Sequence, residues 1–203
     1  MPLLARRDRV AAPSRPKRRA ASRAGQPKLP RSAWTRLAAC TAAAALLQLD
    51  GTLITVALPS VGRGLGVTVG STATVLSAYF AAYAIVLLPA GALVDRFGAR
   101  RLALAGLAVF AIGAAAGAVV NSFTLLVVSR VVQGVGAGLV SPAALAGAVS
   151  GFPPERRGSA LGIWGASAGV ANLVGPLLGG LLTVGFGWRA AWWALVPMAL
   201  AAA

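Results

Sequence analysis

Two charged side chains stand where charge is costly. Asp50 is the one acid, and Arg130 the one base, buried inside long apolar stretches of this 203-residue sequence. An ionisable group in a membrane-spanning segment costs about 2.5–3.5 kcal/mol on insertion scales, so a function is the default expectation for each. A carboxylate in such a place, opposed by a guanidinium, can take up and release a proton. Proton coupling by Asp50, tuned by Arg130, is therefore the chemistry this pair offers. Gln133 follows Arg130 by about one helical turn and is placed to join the same network. The plainer alternatives are an aspartate that snorkels to the surface and an arginine that only bonds backbone carbonyls.

Other chemistries lack their parts. The sequence has no His and one Cys, Cys40, which leaves no disulfide framework, no zinc site and no histidine base. Asp95 and Glu155 are the only other acids after residue 36, too few for paired-carboxylate catalysis. We expect no enzyme, no metal site and no organic cofactor, with a proton gradient as the energy source. Composition excludes a soluble domain as well. Apolar residues make up 58% and charged residues 11%, against about 45–50% and about 25% in soluble proteins.

The elements that must position the pair follow from where charges are missing. Between Arg36 and Arg63 only Asp50 is charged, and between Arg63 and Asp95 nothing is. Between Arg101 and Glu155 only Arg130 is charged, and between Arg157 and Arg189 again nothing. A crossing takes about 20 apolar residues. The intervals hold one, one, two and one spans, the double one dividing at Asn121-Ser122. Spans are expected near 36–58, 71–93, 102–120, 123–147 and 159–184, with an incomplete sixth over 190–203. All are helical, because an open strand has no partner for its backbone in hydrocarbon. The fold class is an all-α polytopic membrane protein. By depth, Asp50 lies roughly 21 Å in from Arg36 and Arg130 roughly 10 Å in from Phe123. Both then fall in the same half of the membrane, within reach of a long arginine.

Residues 1–35 form a basic tail with no apolar periodicity, expected to be disordered. Eleven of the 19 Lys and Arg fall within the first 36 residues. A nucleic-acid arm, a transit peptide and a membrane-surface tether compete with a plain solvated cytoplasmic tail. The last is preferred, because Pro13, Pro16, Pro27 and Pro30 break the amphipathic helix of a transit peptide. With the tail inside, the inner loops carry Arg96, Arg100, Arg101, Arg156 and Arg157, against Arg63 and Arg189 outside. This places the N-terminus in the cytoplasm by the positive-inside rule, in a multi-pass protein of the cell membrane. Trp188, Trp192 and Trp193 are assigned to an interfacial belt.

Two further stretches are built for unusual backbone geometry. GALVDRFGARR, residues 91–101, joins spans two and three with almost no loop. Gly91 and Gly98 permit close approach or unusual dihedrals, and Asp95 is placed to bond a helix N-terminus or an arginine. Span five holds Gly165 and Gly169, then Gly175, Pro176, Gly179 and Gly180. Its two small-xxx-small pairs are expected to let neighbouring helices approach closely.

Together with LDGTLITVALP at 49–59, LVVSRVVQGVGAG at 126–138 and WRAAWWALVP at 188–197, these motifs resemble, in order and position, the signature set of the major facilitator superfamily. More narrowly they resemble its fourteen-helix drug:proton antiporters, from about residue 34 onward. The resemblance implies the N-terminal helical bundle of a secondary transporter that exports hydrophobic or cationic drug-like compounds in exchange for protons. It also implies proton-translocation roles for Asp50 and Arg130. Gly91, Asp95, Arg96, Gly98, Arg100 and Arg101 would act as a gating latch between transporter halves, and the span-five glycines as an exporter motif. The partners implied are the lipid bilayer, a small-molecule substrate, protons and a missing C-terminal half, with no nucleic acid. The alternatives are a truncated non-transporting fragment, a half-transporter needing a separate partner, and a nutrient symporter, which the span-five motif disfavours. The Ala-, Gly- and Arg-rich composition suggests a bacterial source.

Overall fold

The computed structural model describes residues 29–203. The expected tail lies outside the described residues up to 28, while its last five positions, 31–35, are already helical. Six helices follow: α1 Arg31–Leu65, α2 Val69–Phe97, α3 Ala99–Val119, α4 Phe123–Ser150, α5 Arg157–Phe186 and α6 Arg189–Ala201. A single 3-10 turn, Pro154–Arg156, precedes α5. The fold is all-α, and the first five helices are long and apolar enough to cross a membrane.

The helices run past the charge-free intervals. α1 has 35 residues and contains both Arg36 and Arg63, whereas charge counting confined the span to 36–58. Charge marks where hydrocarbon ends, but the backbone ladder continues until a residue breaks it. At the end of α1 that residue is Gly66, at φ 67, whose N–H returns to Gly62 O. Thr68 then starts α2 by accepting from the Ser71 N–H at 3.3 Å. Between α2 and α3 only Gly98 is non-helical, at φ 84 and ψ 145, a conformation that disfavours any side chain. Its N–H closes α2 on Val94 O, and its carbonyl opens α3 by accepting from Leu102 N.

Successive helices run antiparallel, so the ends sort onto two sides. On the near side, where α1 begins, Trp34 meets Phe152 edge-on and Arg36 Nη1 donates to Ser150 Oγ at 3.1 Å. On the far side, Arg189 at the start of α6 donates to Val120 O and to Asn121 Oδ1 in the α3–α4 turn. α4 is the central helix, packed against α2 and α3 and touching α1. α5 packs on α1, and α6 on α3.

The packing of α6 corrects the expectation for its tryptophans. Trp192 is fully buried and Trp188 is 6% exposed, while Trp193 alone is half exposed. Trp192 lies against Gly117 of α3, where a Cβ would strike its ring, and Trp188 lies against Gly64 of α1. The two rings meet edge-to-face at 5.5 Å. Missing side chains on α3 and α1 make room inside the bundle, so two of the three indoles fill its core.

Candidate functional site

Asp50 of α1 and Arg130 of α4 meet in the middle of the bundle. Arg130 Nη1 donates to Asp50 Oδ1 at 2.8 Å, and Nη2 donates to Asp50 Oδ2 at 3.0 Å. This is the bidentate fork for which guanidinium and carboxylate are matched. Both side chains are 0% exposed, so neither the snorkelling aspartate nor the carbonyl-bound arginine is what the structure contains. Gln133 completes the network: its Oε1 accepts from Arg130 Nη1 at 2.8 Å, and it too is 0% exposed.

Two side chains near the pair carry no sequence signal of charge. Tyr79 of α2, 2% exposed, places its ring under Arg130, with the guanidinium carbon 4.4 Å from the centroid. Ser129, 3% exposed and next to Arg130 in sequence, donates to Leu126 O of its own helix and lies toward Gly117 of α3. Sequence reading passed over Tyr79 because a tyrosine in an apolar run looks like core. The available signal was the Tyr79/Tyr83 spacing, which puts two hydroxyl-bearing rings on one face of α2.

The glycines of α4 set the depth of this arrangement. A Cβ at Gly134 would strike the Tyr79 carbonyl, and one at Gly138 would crowd Val86 and the Tyr83 carbonyl. On the opposite face, Gly136 faces Gly106 and Phe110 of α3, and Gly113 of α3 lies against the backbone at Gln133. α2 and α3 therefore approach α4 backbone to backbone beside the charges. Arg130 Nε and Gln133 Nε2 are buried with no partner among the described residues. The network thus holds two spare donors.

Span five divides into two halves. Gly175 and Gly179 are buried against α1, at Thr52 and Leu53, one turn or less from Asp50. Among the described residues Gly165, Gly169 and Gly180 meet nothing within 4 Å, so of the two expected packing pairs Gly175 and Gly179 are the one that finds a neighbour there. Spacing marks small faces but does not say which of them finds a neighbour. Pro176 is exposed, and α5 runs through it without a break.

The 91–101 stretch lies at the near-side end of α2 and α3. Gly98 makes the turn, whereas Gly91 is helical with nothing within 4 Å, so no close approach occurs there among the described residues. Asp95 is exposed and makes neither a hydrogen bond nor an ion pair among the described residues, contrary to the bonding expected of it. Arg96 lies over the Phe97 ring at 5.3 Å, and Arg101 is exposed. Arg100 lines a cleft of about 580 Å³ between the near-side halves of α1, α3 and α4, together with Arg36, Cys40, Leu107 and Ala203. None of the charge-network residues lines that cleft. Among the described residues no cluster of His, Cys, Asp or Glu is suited to a metal.

Residues 40–203 match the model of the Major Facilitator Superfamily. An uncharacterized MFS-type transporter of Mycobacterium tuberculosis is 41% identical over 83% of this chain and 29% of its own length. The tetracenomycin C resistance and export protein of Streptomyces glaucescens is 36% identical over 83% of this chain and 31% of its own. A puromycin resistance protein of Streptomyces alboniger is 39% identical, over 83% and 34%. The chain spans about a third of the length of these relatives. By that match, and by the all-helical bundle over which it extends, the chain belongs to the major facilitator superfamily of membrane transporters.

Proposed function

We propose that the transporter built on this bundle exports hydrophobic or cationic drug-like compounds across the cell membrane, driven by inward movement of protons through Asp50. The observation that carries this is the bidentate Asp50–Arg130 pair, 0% exposed on both sides, in a helix bundle that has no structural need of a buried charge. Protonating Asp50 removes the anion that binds α1 to α4. α1 stays fastened to α5 through Gly175 and Gly179, one turn from the carboxylate. Proton binding thus loosens one helix contact of α1 and spares the other, an asymmetry able to bias two bundle arrangements. Resistance is in the name of two relatives and export in the name of one of them, and the Gly175–Gly180 pattern resembles an exporter motif. In this scheme the near side is cytoplasmic, and the exposed stretch around Asp95 and Arg96 is available as a latch against a second bundle.

The test is transport by the complete protein in proteoliposomes under an imposed pH gradient. Drug moving opposite to protons, abolished by a protonophore, is the expected result. Drug moving with protons would favour the nutrient-symport alternative and overturn antiport. A second reading, a half that needs a partner bundle, is supported by the one-third coverage of the relatives and by the placing of transporter sites between two repeats. Residues 1–203 expressed alone are then expected to insert without conferring resistance. Resistance above an empty-vector control would show self-sufficiency.

A further inference from the structure

We infer that Tyr79 is a positioning residue for the charge pair, its ring face holding the Arg130 guanidinium in place while Asp50 is protonated. This rests on the proton-coupling reading of Asp50.

A guanidinium does not lose its proton in a protein. When Asp50 becomes neutral, Arg130 stays a buried cation and the ionic part of its attraction to Asp50 is gone. Nε has no partner among the described residues, and Gln133 Oε1 supplies one bond. A cation so provided would swing away, and the pair would not re-form when the proton leaves. Asp50 and Gln133 bond the guanidinium nitrogens, whereas Tyr79 offers a π face at 4.4 Å from the guanidinium carbon. That attraction comes from the ring quadrupole and survives protonation of Asp50, when the guanidinium, no longer shared with a carboxylate, rests on it more fully.

The ring itself is held in place. Its backbone carbonyl abuts Gly134 of α4. Phe80 meets it edge-on at 5.1 Å, and Tyr83 stacks on it at 6.4 Å with an interplanar angle of 19°. Tyr83 is in turn pinned to α4, its hydroxyl donating to Ser141 Oγ at 3.0 Å. α2 thus carries an aromatic pair locked to α4 one turn apart, with the Tyr79 end on the cation. Space filling alone would not require this aim: Phe80, the next residue, is 52% exposed. The ionisable groups around the ring are Asp50 from α1, Arg130 from α4 and Tyr83 from α2 itself, while α3 contributes Gly113 beside Gln133.

The experiment titrates Asp50 by difference infrared spectroscopy in lipid, with Asp50→Asn identifying its carboxyl band. Tyr79 is replaced by Phe and by successively fluorinated phenylalanines, which keep the ring's shape while draining charge from its face, and separately by Leu. Tyr79→Phe should leave the titration midpoint in place. Fluorination should move it stepwise downward, by about one pH unit over the series, because it weakens a contact that favours the protonated state by the tenfold in proton affinity that a desolvated cation–π contact supports. Tyr79→Leu should match the most fluorinated ring. A midpoint indifferent to fluorination would overturn the inference and leave proton coupling standing. An Asp50 band that does not titrate at all would overturn both.

Discussion

Removing one member of the Asp50–Arg130 pair should cost far more than removing both. Asp50→Leu leaves Arg130, 0% exposed, with its charge intact and Gln133 Oε1 as its one hydrogen-bond acceptor among the described residues. An uncompensated buried charge of this kind destabilises by about 3–5 kcal/mol. Arg130→Met strands the other partner, but a carboxylate can discharge itself by binding a proton. What remains is then a buried hydroxyl and carbonyl short of partners, about 1–3 kcal/mol. In the double variant both charges are gone and the side chains are apolar and of similar bulk, so stability should return to within about 1–2 kcal/mol of the parent. The assay is equilibrium unfolding in mixed micelles followed by tryptophan fluorescence, since Trp188 and Trp192 are both buried in the parent. The double-mutant cycle should show a coupling of at least about 2 kcal/mol between the two positions. A double variant that loses the sum of the two single losses would refute a mutually compensating buried pair.

Packing and charge lead to three more expected outcomes. Gly117→Leu places a side chain into the Trp192 ring. It should cost about 1–3 kcal/mol by overpacking and increase quenching of indole fluorescence as α6 undocks. Gly165→Ala, in open space, should instead gain up to about 1 kcal/mol of helix propensity in the same unfolding assay. A reporter active only outside the cell should work when fused near Gly66 or Asn121 and fail near Ala99 or Pro154. The reverse pattern would invert the orientation inferred from Arg96, Arg100, Arg101, Arg156 and Arg157.

Asp50 and Arg130 were legible because charge is so scarce. One acid and one base in otherwise uncharged apolar stretches have few ways to be compensated except by each other, and helical rise put them at compatible depths. Gln133 was legible from its spacing alone. Tyr79 was not, because the property it contributes is a ring face aimed at a cation, and aim is set by the α2–α4 contact at Gly134 rather than by residue type. The glycines show the same limit from the other side. Gly175 and Gly179 pack against α1 while Gly165 and Gly169, at the same spacing, face nothing among the described residues. A small face on a helix is an opportunity, and only the tertiary arrangement decides whether it is used. Gly113 and Gly117 on α3 were passed over for lack of a neighbouring Pro or charge, yet Gly117 accommodates Trp192 and Gly113 lets α4 approach. Tryptophans near a predicted membrane boundary read as belt residues by default, and the pocket at Gly117 and Gly64 is what draws two of them inside.

Proton-coupled export through Asp50 is tested most directly by drug efflux from proteoliposomes of the complete transporter carrying Asp50→Asn, measured across a series of pH values. Asparagine keeps the size of the side chain and an acceptor for Arg130 while removing the titratable charge. Drug binding should persist, and export driven by the pH gradient should be abolished at every pH. Export at the parent rate with the parent pH dependence would contradict the account and remove Asp50 as the coupling group.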